Sequence, residues 1–258
     1  MRLFGKRQQH GDGADGLPAD GTAEIAGVKL SGRRVRADLE GAGPAVLWRT
    51  SGEPEAVFRV WEQLADAHTQ TGLWPVLITA ERLDLGYFDP AWEAKAEAVD
   101  YGTMVVERWS EFSSYDEELR ERIGEFPGLA APGEVLVDDP LEHVFAGLEV
   151  DSLGLVRVRR PADVLAAIGW MGAVNSFQPV ALVPYLRSWE ERFDARLVAV
   201  GFDTIQLAVG RPPSEAEAVK AASELYMFNP DIVDQGVGSI EALAEEMVQG
   251  PHWAFWWD

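Results

Sequence analysis

Residues 196–209, RLVAVGFDTIQLAV, decide the fold class. Arg196–Val200 and Thr204–Val209 are two short apolar runs around Gly201-Phe202-Asp203, and that arrangement reads as a β-hairpin. Upstream, Leu182, Leu186, Trp189 and Phe193 recur at i, i+4, i+7 and i+11, one apolar stripe along a helix. A shorter helix is expected over Pro161–Ile168. Downstream, Ser214 and Glu217 have the spacing of a capping box ahead of Ala218, Ala222 and Leu225. Ser239 caps a further helix carrying Leu243 and Met247, and Pro251 precedes a terminal strand, Trp253–Asp258. The order α–β–β–α–α–β predicts an α+β (mixed α/β) fold with helices packed on a sheet.

The N-terminal half reads similarly. Val28–Leu39 has room for one or two short strands, and Ala45–Arg49 (AVLWR) has strand character. Gly52-Glu53-Pro54 opens a helix whose one face carries Val57, Trp61, Leu64 and His68, and Gly72 ends it. Trp74–Thr79 (WPVLIT) is a second strand, so the segment predicts a βαβ-like unit with a parallel pair. Residues 90–126 are helical and acidic. Pro127–Gly133 (PGLAAPG) is the linker, followed by short strands over Glu134–Val137 and Leu155–Arg159. The expected organisation is a flexible tail over 1–22, an N-terminal α/β region over 23–126, and a C-terminal α+β domain over 134–258. These are two α/β halves joined near 127–133.

Composition narrows the function. The 258 residues carry 22 Lys+Arg against 43 Asp+Glu, a formal charge of −21, with 47% hydrophobic residues and no cysteine. A thiolate metal site, a cysteine nucleophile and a disulfide scaffold are therefore excluded. Residues 1–36 hold seven basic and four acidic side chains, so the remainder carries −24. Such a body repels phosphate backbones, and no nucleic-acid partner is expected. The acidity serves solubility or attracts a basic protein partner. Residues 164–186, the longest nearly uncharged stretch, are interrupted by Asn175, Ser176, Gln178, Pro179 and Pro184, so no membrane span is expected. No apolar core follows Arg2, Lys6 and Arg7, and the protein is expected to be cytoplasmic.

The chain holds no phosphate-loop, dinucleotide, HExxH or Gly-x-Ser-x-Gly motif. Asp138, Asp139, Glu142 and His143 have metal-ligand chemistry, but Asp139 before Pro140 reads as an N-cap with proline at the first position. His68 reads as a hydrogen-bonded boundary residue. His252, between Pro251 and Trp253, reads as packed or exposed, with a pocket role as the alternative. No metal, no cofactor and no catalytic residue is assigned.

Two stretches are more informative. In Trp253-Ala254-Phe255-Trp256-Trp257-Asp258, strand alternation places Trp253, Phe255 and Trp257 on one face. That face is core, or an aromatic wall beside Asp258 suited to a cationic or planar ligand. Phe228-Asn229-Pro230-Asp231 with Asp234-Gln235-Gly236 is a turn rich in amide and carboxyl groups, and Trp170 and Asn175 come from a similar turn. The ligand-binding candidates are Trp170, Asn175, Asn229, Asp231, Gln235, Trp253, Trp257 and Asp258.

Gly169-Trp170-Met171-Gly172-Ala173-Val174-Asn175, Leu186–Phe193 (LRSWEERF), Asn229-Pro230-Asp231 with Gln235-Gly236, and the final Trp-x-Phe-Trp-Trp-Asp resemble a bacterial family common in actinobacteria. It is the family catalogued as domain of unknown function forty-two fifty-three, and the resemblance covers about residues 160–258. It implies no activity. Members read Glu-His where this chain has Glu224-Leu225, and Cys-Pro-Asp where it has Asn229-Pro230-Asp231. Any chemistry carried by that His and Cys would be missing here, which points away from an enzyme. Two readings stand: an acidic protein-interaction module, of the kind an immunity protein represents, or an enzyme or sensor for a small polar ligand using the C-terminal aromatic and carboxylate groups.

Overall fold

Among the described residues eight strands pair into a single mixed sheet. In the computed structural model, which describes residues 16–37, 43–86, 88–115, 117–135 and 139–258, the strands are β1 (Gly21–Ile25), β2 (Val28–Arg36), β3 (Ala45–Thr50), β4 (Leu73–Ile78), β5 (Ser152–Arg157), β6 (Ala195–Val200), β7 (Thr204–Val209) and β8 (His252–Trp256). Their spatial order is β1-β2-β3-β5-β4-β6-β7-β8. Every neighbouring pair is antiparallel except β4 with β6. Both halves of the chain thus contribute strands to one sheet. The helices are α1 (Val57–Asp66), α2 (His68–Thr71), α3 (Trp92–Glu97), α4 (Tyr101–Tyr115), α5 (Glu117–Ile123), α6 (Pro140–Phe145), α7 (Val164–Ile168), α8 (Pro179–Phe193), α9 (Ala218–Phe228) and α10 (Ile240–Leu243).

The hairpin expected over residues 196–209 is β6–β7, and the class is α+β as expected. The parallel pair expected from β3 and β4 is corrected. The two strands run in the same direction, but β5 lies between them and is antiparallel to both. Gly154 lets it fit there. A Cβ at that position would stand 2.7 Å from Leu47 Cδ1 and 2.9 Å from Val76 Cγ2, distances that side-chain packing does not tolerate. Hydrophobic runs report that a strand exists, not which strand it pairs with, and β5 arrives some seventy residues after β4 (last residue 78, first residue 152).

Strand alternation separates two helical layers. Trp253, Phe255 and Trp257 face α8: Trp189 packs on Trp253 and Phe255, and Phe193 on Trp253. Helix α9 joins this layer through Phe228 against Trp189, Phe255 and Trp257. On the other face α6 covers β7 and β8, and α1 meets α6 through Phe58 and Trp61 against Phe145. The stripe Leu182, Leu186, Trp189 and Phe193 is wholly buried.

Three further expectations change. Residues 16–22, assigned to the tail, are tied to the sheet: Leu17 is buried, Arg34 Nη2 donates to its carbonyl at 2.7 Å, and Gly21 already begins β1. Residues 1–15 lie outside the described residues. Glu134 and Val135 form no strand and Val135 is exposed, while 136–138 are not described. Ser214 precedes a 3-10 turn but its hydroxyl makes no cap. Glu217 instead accepts from the Ala131 N–H at 2.9 Å and from Lys220. Pro127–Gly133 has no regular secondary structure, yet Ala130 within it is buried.

Candidate functional site

Seven of the eight residues singled out in the sequence converge at one end of the sheet, where the C-terminus meets the α9 turn and the turn after α7. Asn229 is buried. Its Nδ2 donates to Trp256 O at 2.8 Å and its Oδ1 accepts from the Ile232 N–H at 3.0 Å. Asp231 accepts from the Asp258 N–H at 3.2 Å with Oδ2 and from Gln235 Nε2 at 3.1 Å with Oδ1. Asn175 Nδ2 donates to Asp258 O at 2.8 Å, and the Trp257 N–H donates to Asp203 O at 3.0 Å. Trp170 and Trp257 pack edge to face at 5.5 Å, with Trp170 Nε1 donating to Gly201 O. Trp253 sits at the far end of β8, where its Nε1 donates to Val248 O at 3.2 Å.

This convergence is a latch rather than a recess. Trp170, Trp253 and Trp257 are 0%, 0% and 3% exposed, so the aromatic wall expected beside Asp258 faces the helices α8 and α9 and offers no ring to solvent. Trp256, on the opposite face, is the exposed indole. The physical reason is that each ring buries on the order of 150–250 Å² when covered, and an amphipathic α8 lies ready to cover them. The amides and carboxylates of the turn then satisfy the backbone groups that end the strand. Trp257 Nε1 is buried without a hydrogen-bond partner among the described residues.

The densest polar chemistry lies deeper, at Glu224. Its carboxylate is fully buried and accepts from Tyr101 OH (2.5 Å), Trp189 Nε1 (3.4 Å), the Ala130 N–H (2.8 Å) and both Arg192 Nη1 (3.0 Å) and Nη2. Arg192 Nη1 also donates to Ala130 O at 2.8 Å, and its Nε to Ser188 Oγ. Burial, and then the Glu224 charge, hold the Tyr101 phenol well above its ordinary pKa. Burial works against the Arg192 charge, but the Glu224 carboxylate outweighs it and raises that pKa. The arrangement is a fork-to-fork ion pair with every acceptor position engaged. It clamps residues 127–133 onto α8 and α9. The sequence reading passed over this group; its signal was a lone acid in the apolar run Ala221-Ala222-Ser223-Glu224-Leu225-Tyr226.

A third group borders the first. Asp234 accepts from Tyr226 OH at 3.1 Å and from Arg122 Nη2 at 2.8 Å. Burial first, and the Asp234 charge second, push Tyr226 up to about 12. Asp139 caps α6 through the Leu141 N–H at 2.9 Å with Pro140 at the first position, as expected. His68 Nε2 donates to Val158 O at 2.9 Å, and His252 Nε2 bonds Gln206 Oε1 at 2.5 Å. Among the described residues no three His, Asp or Glu side chains gather to hold a metal ion, and no helix is long and apolar enough to cross a membrane.

Residues 152–258 match the family model described as domain of unknown function (DUF4253). The matched segment begins at β5 and runs through β8. It does not make a contiguous sheet by itself, because β4, from outside the match, lies between β5 and β6. No curated protein and no solved structure matches the chain.

Proposed function

We propose that this protein, whose C-terminal part carries the DUF4253 match, is an acidic interaction module that docks a basic protein partner without catalysing a reaction. The observation that carries the reading is the outer surface of α4 and α5. Val105 and Trp109 point inward and are buried, whereas Val106 (49%) and Tyr115 (71%) stand in solvent on α4, and residues 101–125 carry seven acids against Arg108, Arg120 and Arg122. Among the described residues Glu107, Glu121 and Glu125 pair with no cation. Exposed apolar groups on helices whose net charge is negative suit a partner of opposite sign, which the field also steers into contact.

The carboxylates of the turn after α9 support the same reading. Asp231 is held by Gln235 and the Asp258 backbone, and Asp234 by Tyr226 and Arg122. A group so engaged is positioned for structure rather than for proton transfer to a substrate.

The test uses the immobilised full-length protein and lysate of the producing cell. At about 0.05 M ionic strength it should enrich a discrete basic protein, and at about 0.5 M it should release it. The triple variant Glu107→Lys, Glu111→Lys, Glu121→Lys should fail to enrich it while keeping the wild-type melting temperature. Equal capture by the variant, or no enrichment by the wild type, refutes the proposal.

A further inference from the structure

Against a chain of −21, one groove is lined by four arginines. It lies where β2 and β3 meet residues 81–85, has a volume of about 450 Å³, and is bordered by Arg33, Arg36, Arg49 and Arg82 with one acid, Glu81. In the strand register Arg33 stands opposite Arg49, and Val35 opposite Leu47, so these four share a face. Arg36 would point away in a regular strand. The register shift between Val35 and Arg36 pairs it with Ala45, which has the parity of Leu47, and turns it back into the groove. Arg34, between them, faces the other side and is spent on Leu17 O and Pro18 O.

The groove is also graded. Its floor is apolar, from Val35, Leu47, Leu83 and Leu85, of which the three leucines are buried. Arg49 is held rigid on that floor by Ser152 Oγ at 2.6 Å, Ala80 O at 2.9 Å and Asp151 Oδ2 at 2.6 Å. Arg36 spends one nitrogen on Gly43 O. Arg33 and Arg82 are exposed and have no acceptor among the described residues. A like-charged cluster of this kind repels itself and gains most from a ligand that brings negative charge. Guanidinium forks match phosphate oxygens two at a time, and the volume lies within the range of small-molecule sites.

We infer that this groove, with Arg33 and Arg82 as free arms and Arg49 as a fixed anchor, binds a small organic phosphate whose apolar or planar body rests against half-buried Val35 and the aliphatic stems of the arginines. The inference is independent of the protein-docking surface on α4 and α5, which lies on other elements.

Isothermal titration of the full-length protein tests it, with adenosine 5′-monophosphate, glucose 6-phosphate and glycerol 3-phosphate as probes and inorganic phosphate and adenosine as references. At least one of the three should bind about tenfold more tightly than inorganic phosphate, and adenosine should not bind. Arg33→Gln with Arg82→Gln should weaken that probe by about tenfold or more, and Glu81→Gln should tighten it. The double variant should keep the wild-type melting temperature, because both side chains are exposed and unpaired. Absence of binding by all three, equal binding of inorganic phosphate or adenosine, or unchanged affinity in the double variant overturns the inference.

Discussion

Replacing Arg192 by Met isolates the Glu224 carboxylate in the core. Five donors now reach that group, two of them from the guanidinium, and its side chain is fully buried while that of Arg192 is 20% exposed. Removing the cation leaves a buried charge with only three neutral donors. Breaking a buried pair in this way costs about 3–5 kcal/mol, which corresponds to a fall of roughly 6–20 °C in Tm for a chain of this size. Urea unfolding followed by tryptophan fluorescence reads the loss directly, since Trp189 touches the pair. The double variant Arg192→Met, Glu224→Met removes the stranded charge, so it should recover at least about 1 kcal/mol relative to the single variant, even with the Ala130 N–H left without its acceptor. The same single variant should loosen residues 127–133, because Ala130 is held by Glu224 through its N–H and by Arg192 through its carbonyl; hydrogen exchange there should quicken. A loss under about 1 kcal/mol, or a double variant no more stable than the single, would refute the reasoning.

Two further expectations concern the sheet and its edge. A fragment of residues 134–258 lacks β4, whose six residues are all buried between β5 and β6; it should aggregate or remain unfolded by circular dichroism and sedimentation, and a soluble fragment that melts cooperatively would disprove the dependence. Burial, with His143 as a nearby like charge, lowers the His252 pKa below its ordinary 6.5. The folded state therefore binds that proton less readily than the unfolded chain, so the residue's contribution is complete above about pH 6.5 and is lost as pH falls through the lowered value. Thermal melts between about pH 7.5 and 5 should show a shallower decline in His252→Gln than in the wild type, and parallel profiles would contradict the assignment.

Local signals with a period persist in the folded chain. The alternation in Trp253–Trp257 foretold which rings share a face, and the spacing of Leu182, Leu186, Trp189 and Phe193 foretold the buried side of α8. The same alternation left open whether that face was core or an accessible wall, because the answer depends on α8 and α9 arriving to cover it. The turn residues Asn229 and Asp231 stand out as polar groups in the sequence, and their bonds to Trp256 and Asp258 make them fasteners of the strand. Ser214 shows the converse: the right spacing for a cap, with the acid that completes the motif drawn off to Ala131 and Lys220.

The sequence by itself determined the class of fold, the acidic field and the absence of thiol chemistry, since these follow from composition and from periods of two and 3.6 residues. Only the tertiary structure decided that β5 separates β3 from β4, that Glu224 meets Arg192 and Tyr101, and that Arg33, Arg49 and Arg82 line one groove. Each of those depends on strand pairing or helix packing between residues far apart in the chain, and a linear pattern carries no record of which distant partner it will meet.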